Sequence, residues 1–139
     1  MTDLQDELNE LIQARNGHFL LESGHHGDLW LDLELLCLQP ARIQPFASAL
    51  ARRLAEHRVD AVCGPLVEGA FVGLMTAQEL GVEFFYTEPC RQADDGELYS
   101  MAYRLPTALR ERISGKRVAI VNDVINAGSA VRGTYLERV

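Results

Sequence analysis

The chain has 139 residues, 47% hydrophobic and 24% charged, ordinary values for one globular domain with a sizeable core. A formal net charge of −7 argues against a nucleic-acid coat or an anionic membrane surface, and neither partner is expected. Cys37, Cys63 and Cys90 are odd in number and lack C-x-x-C spacing; with no signal segment or long apolar run, the expectation is a soluble cytoplasmic protein in a reducing compartment.

Asp3 to Arg15 reads as an amphipathic helix, with Leu4, Leu8, Leu11 and Ile12 on one face and Gly17 as its stop. Phe19 to Leu21 and Leu29 to Leu35 read as strands around a loop, Ser23 to Asp28. In the second strand Leu29, Leu31, Leu33 and Leu35 alternate with Trp30, Asp32 and Glu34, which predicts one buried and one polar face. Pro40 suits the first turn of a helix running to about His57, with Ile43, Phe46, Ala47, Leu50 and Leu54 inward. Val59 to Cys63, helix Gly69 to Leu80 and Val82 to Tyr86 have strand–helix–strand spacing, which predicts a parallel pair joined by a right-handed crossover. Pro89 to Gly96 has no periodicity and reads as a mobile loop; a strand, Leu98 to Tyr103, and a short helix, Pro106 to Ile113, follow. There is no internal repeat, linker or low-complexity tract.

The chain is organised around Val118 to Val131. Val118 to Val121 are four apolar residues, the pattern of a strand buried on both faces of a parallel sheet. Asn122 and Asp123 follow at its carboxyl end, then the small-residue loop Asn126-Ala127-Gly128-Ser129-Ala130 and a helix start, Val131 to Leu136. A strand feeding such a loop aims backbone N–H groups and the positive end of a helix at one point, which makes an anion site. Open α/β sheets bind ligands at this edge. The same pattern also fits an ordinary βα turn in which Asp123 merely caps a helix. Pattern alone leaves both readings open.

This stretch resembles the phosphoribosyl pyrophosphate (PRPP) motif of the type I phosphoribosyltransferases, and Ile125 to Arg132, I-N-A-G-S-A-V-R, most resembles the orotate-type form, I-T-A-G-T-A-I-R. Gly17 to Trp30, G-H-F-L-L-E-S-G-H-H-G-D-L-W, is similar to the family's G-x-F-x-L-x-S-G segment before an aromatic. Cys63 to Ala70, C-G-P-L-V-E-G-A, is similar to its strand-end pyrophosphate loop. The three occur in family order and cover essentially the whole chain. The resemblance implies an α/β fold: a Rossmann-like parallel sheet in one domain, with a small N-terminal hood of helix and strands (residues 1–39) on a core (residues 40–139). Relatives continue through further strand and helix, so a C-terminal part of the core is expected to be missing. The last strand would then lie near an exposed edge, a liability met by pairing or oligomerising, and a homodimer is expected.

The implied reaction transfers the 5-phosphoribosyl group of PRPP to a nucleobase, orotate first, releasing pyrophosphate with Mg2+ in a step of pyrimidine nucleotide synthesis. By resemblance Asp123, and Asn122 where the family has a second acid, face the ribose hydroxyls. Val124, Ile125, Asn126, Ala127, Gly128, Ser129 and Ala130 would hold the 5′-phosphate. Pro65, Leu66, Val67, Glu68 and Gly69 would face pyrophosphate, although Glu68 also reads as a solvated carboxylate favourable to its helix dipole. Phe19, Ser23, Gly24, His25 and Trp30 would face the base, Trp30 by stacking or alternatively as a packing residue. No side chain is expected to bind metal directly; Mg2+ would come with PRPP. Three features depart from the family. Glu22 stands where a lysine precedes the serine. Asn122 replaces an acid, a change worth about 1.5–3 kcal/mol if it removes a charge-assisted hydrogen bond. The lid segment carries Glu88, Asp94, Asp95 and Glu97, with Arg91 and Arg104 as its only cations between Tyr86 and Leu105, so Arg104, then Arg91, are the candidate catalytic cations. Two functions are therefore carried forward: an orotate-type transferase, and a catalytically weak or inactive PRPP- or nucleotide-binding relative on the same scaffold.

Overall fold

The computed structural model describes residues 3–91 and 98–137. Asp94, Asp95 and Glu97, part of the lid expectation, lie outside the described residues. Helix α1 (Leu4–Leu11) is followed by β1 (Gln13–Leu20) and β2 (His26–Asp32), which pair antiparallel as a separate two-stranded sheet. The expected helix through Arg15 therefore ends early. Ile12 adopts extended backbone (φ −92°, ψ 122°), and residues 13–16 join a ladder with Leu29 to Asp32. Inter-strand hydrogen bonds, available only in the fold, override the local helical pattern. Strand β2 ends at Asp32, and the expected leucine face is only partly buried: Leu31 and Leu33 are half-buried, Leu33 against the core, while Leu29 and Leu35 are exposed.

The second sheet has four strands in the order β5-β4-β3-β6, from β3 (Ala61–Pro65), β4 (Glu83–Arg91), β5 (Met101–Arg104) and β6 (Val118–Ile120). Strand β3 pairs parallel with both β4 and β6, while β5 returns antiparallel to β4. Every residue of β3 is buried, and its alternate side chains feed two cores. Val62 joins Leu36, Ile43, Val72, Ala77 and Val121 on the face covered by α2 (Pro40–Ala55) and α3 (Glu68–Leu80). Ala61 and Cys63 join Phe85, Leu105 and Ile113 on the face covered by α4 (Thr107–Ile113). Burial on both sides explains the unbroken apolar run at 61–63. Strand β6, expected to be buried on both faces as well, lies instead at the edge of the sheet, and Val118 to Ile120 are half-buried, with Val121 alone of that run buried. The hood rests on the first core through Leu11, Ile12 and Leu33.

The expected loop at Pro89 to Gly96 begins later than its sequence suggests, since Pro89, Cys90 and Arg91 complete β4 opposite Tyr103, Ala102 and Met101. The expected strand at Leu98 starts only at Met101. Helix α5 (Ser129–Leu136) begins two residues before the expected Val131, because Gly128, at φ +82°, turns the chain into it. It is fixed to β4 by a buried pair of hydroxyls, Thr87 Oγ1 and Thr134 Oγ1, 2.7 Å apart. Gly133 lets it approach β5, for a Cβ there would lie 2.6 Å from the Tyr103 ring.

Candidate functional site

Strand β6 hands the chain to Val121, whose N–H still donates to Cys63 O at 2.9 Å, and the polar turn begins immediately afterwards. Asn122 organises it. Its Oδ1 accepts from the Asp123 N–H at 3.0 Å, and its Nδ2 donates to Val124 O at 2.9 Å. Glycine is required opposite: a Cβ on Gly69 would stand 2.1 Å from Asn122 Oδ1, and one on Gly64 only 2.5 Å from Gly69 O. The G-P-L-V-E-G stretch thus packs its backbone directly beneath the Asn122–Asp123 turn.

Above this turn lies a cleft of about 320 Å3 between hood and core. One wall is the stretch Asn122 to Ala130 with Glu68, and the other is Leu21 to Ser23 with Leu29, Trp30, Leu31, Leu33 and Glu34. The fold therefore brings Asp123, the whole small-residue loop, Ser23 and Trp30 to one cavity, although more than ninety positions of sequence lie between Trp30 and Asp123. Trp30 is held by an indole N–H bond to Asp32 Oδ1 (3.1 Å) and by the tilted Phe19 ring, 5.7 Å away between centroids. Phe19 is thus behind the cleft wall. Ser23 is buried, its hydroxyl 2.8 Å from His25 Nδ1, and Gly24 forms the turn at φ +91°. His25 meets the Tyr99 ring edge-on at 5.3 Å.

Like Phe19, neither Gly24 nor His25 lines the cavity, and of the remaining expected residues only Glu68 does. Arg104 and Arg91 are exposed on β5 and β4, and neither lines the cleft. Pro65, Leu66, Val67 and Gly69 form the turn behind the wall, and of that stretch Glu68 reaches the cavity. The described lining includes no lysine, arginine or histidine and has four carboxylates, Glu22, Glu34, Glu68 and Asp123. Burial holds the Asp123 carboxyl above the usual carboxylate range, and the Glu68 charge adds to it, against the opposing pull of N–H bonds from Val124 and Asp123 itself. The same charges, after burial, raise the Cys37 thiol. Among the described residues no group of three histidine, cysteine or acidic side chains stands close enough to chelate a metal.

Sequence reasoning missed the tyrosines that close the site. Tyr103 Oη and Ser129 Oγ both donate to Glu22 Oε1 at 2.8 Å, and Tyr99 Oη donates to Ala127 O at 2.9 Å. The Arg132 guanidinium lies 4.6 Å over the Tyr99 ring. Burial, then the bond to Glu22, pushes the Tyr103 phenol upward, so it remains a donor. No local pattern marks these residues; their partners are distant in sequence.

No protein-family model matches the chain. By sequence it is 33% identical over 133 residues to the orotate phosphoribosyltransferase of Phenylobacterium zucineum, covering 92% of this chain and 63% of that protein. It is 28% identical over 127 residues to the orotate phosphoribosyltransferase of Caldanaerobacter subterraneus, covering 91% and 62%. The chain thus spans a little over 60% of these relatives' length. In structure it superposes on adenine phosphoribosyltransferase of Giardia lamblia with a TM-score of 0.67 at 16% identity, covering 96% of this chain and 75% of that one. With orotate phosphoribosyltransferase of Aeropyrum pernix the TM-score is 0.59 at 19% identity, covering 94% and 70%. The fold is that of the type I phosphoribosyltransferases. Within that fold the chain resembles the orotate enzymes in sequence. The phosphoribosyltransferase scaffold explains why the cavity forms where it does, at the carboxyl ends of parallel strands β3 and β6.

Proposed function

We propose that this chain binds PRPP in the cleft between hood and core and transfers its phosphoribosyl group to a pyrimidine base of the orotate type. One observation carries the reading: Asp123, the 124–130 loop and Trp30 line a single cavity. The loop offers backbone N–H groups at the start of α5 to a 5′-phosphate. Asp123 accepts from ribose hydroxyls, and its charge, little screened in a partly buried position, stabilises the oxocarbenium-like sugar of the transition state. Trp30 offers a planar face to the base. In the reaction a ring nitrogen of the base bonds to the anomeric carbon as that carbon's bond to the pyrophosphate oxygen breaks; the electron pair leaves with pyrophosphate, and the proton of the ring nitrogen is released to solvent.

A polyanion entering a cavity lined by four carboxylates is repelled unless its charge is masked. A divalent ion carried in by the pyrophosphate would fit this oxygen-rich lining, with Asp123 and Glu68 as the carboxylates to hold it, directly or through water. It would supply neutralisation of the leaving group. Titration calorimetry with PRPP, with and without Mg2+, tests the reading. Saturable binding that needs Mg2+, followed by nucleotide formation when orotate is added, is the expected result. Absence of PRPP binding under both conditions refutes it.

A second reading, a ligand-binding relative with little turnover, is favoured by the state of Asn122. Its amide is engaged by the turn at both the oxygen and the nitrogen, which leaves one N–H and one lone pair, and no charge, for the ribose. PRPP binding without product formation would select this reading.

A further inference from the structure

The loop assigned above to a phosphate already holds an anion, and that anion belongs to the chain. Ser129 is the only hydroxyl residue between Val124 and Ala130, and it opens helix α5. Its proton is directed to Glu22 Oε1 at 2.8 Å, across a sequence separation of 107 residues. The same oxygen accepts from Tyr103 Oη at 2.8 Å, so the carboxylate is held from two sides. Glu22 sits in the hood turn between β1 and β2, one residue before buried Ser23, whose carbonyl accepts from the Tyr99 N–H. The hood is therefore anchored next to Glu22, and the carboxylate does not reach the loop by chance extension of a free arm.

We propose that Glu22 is an internal competitor for the phosphate loop and thereby a specificity-determining residue: its carboxylate stands in for a phosphate oxygen at Ser129 and must leave before a phosphorylated ligand can seat. The inference rests on the reading of residues 124–130 as a phosphate cradle. A serine hydroxyl has one proton, so it cannot serve Glu22 and an incoming phosphate together. A phosphate oxygen beside an undisplaced carboxylate would meet like charge, and among the described residues no cation lines the cavity to offset it. The cleft consequently discriminates against bare phosphate esters and favours ligands whose charge is masked or whose binding energy elsewhere exceeds the cost of expelling Glu22.

The test uses the whole chain, with ribose 5-phosphate as the probe and the amide shifts of Gly128 and Ser129 in 15N-correlated NMR as the readout. Glu22→Gln keeps the shape and removes the charge; Glu22→Ala removes the side chain, and because Glu22 is exposed either substitution leaves the core untouched. Each variant is expected to bind ribose 5-phosphate about tenfold more tightly than the parent chain, the worth of one charge-assisted hydrogen bond no longer opposed. Equal affinities for the parent and the variants would overturn the role of Glu22 and leave the phosphate loop standing. No response of the Gly128 and Ser129 amides in parent or variants would overturn the loop assignment, and this inference with it.

Discussion

Gly69→Ala tests whether the turn bearing Asp123 is built as described. The added methyl would stand 2.1 Å from Asn122 Oδ1, roughly 1 Å or more inside van der Waals contact. Asn122 must swing away, which breaks its bonds with the Asp123 N–H and with Val124 O. Each is worth about 1 kcal/mol. Imperfect relaxation against the packed G-P turn adds about 1–3 kcal/mol. The helical preference of alanine over glycine returns about 1 kcal/mol, since Gly69 lies in the first turn of α3. The net expectation is a loss of about 2–4 kcal/mol, read in urea unfolding as a lower midpoint at unchanged slope. In an Asn122→Ala background the clash and both bonds are already gone, so the same substitution should be neutral or slightly stabilising. Equal cost in the two backgrounds, or no cost in the first, would refute the reasoning.

Three further outcomes are expected. Because the Asp123 carboxyl is raised in the folded chain, the native state binds its proton more tightly than the unfolded state; that stabilisation is complete below about pH 4 and is lost as pH rises through the folded value. Asp123→Asn should accordingly raise Tm at neutral pH and flatten this decline while reducing PRPP binding; an unchanged or lower Tm at neutral pH would contradict the burial of its charge. Trp30 is the sole tryptophan, so the intrinsic fluorescence of the chain reports on the cleft, and a nucleobase entering it should change that emission, whereas saturation without any change would place the base elsewhere. Thr134→Val strands the buried Thr87 hydroxyl and should cost about 1–3 kcal/mol, more than the double change with Thr87→Val, because satisfying neither partner is cheaper than orphaning one.

Sequence by itself determined the parts whose physics is local. Ala61 to Cys63 announce a strand buried on both faces, since such strands need apolar residues at consecutive positions, while Val118 to Val121 announce a strand but not its half-buried place at the sheet edge. Gly128 and its small neighbours announce a tight βα loop, and Asp123 lies in the cavity because it follows a strand end directly. Tertiary structure decided everything that depends on partners distant in the chain. Residues 13–16 became strand because β2 was there to pair with them. Arg91 and Arg104 lie away from the cavity because the β4–β5 ladder fixes their register. Glu22, set out in sequence as a missing lysine, is instead the group that holds Ser129 at the start of α5, and only the approach of hood to core creates that bond. A hydrogen bond across 107 residues leaves no periodic mark in either segment, which is why folding alone could disclose it.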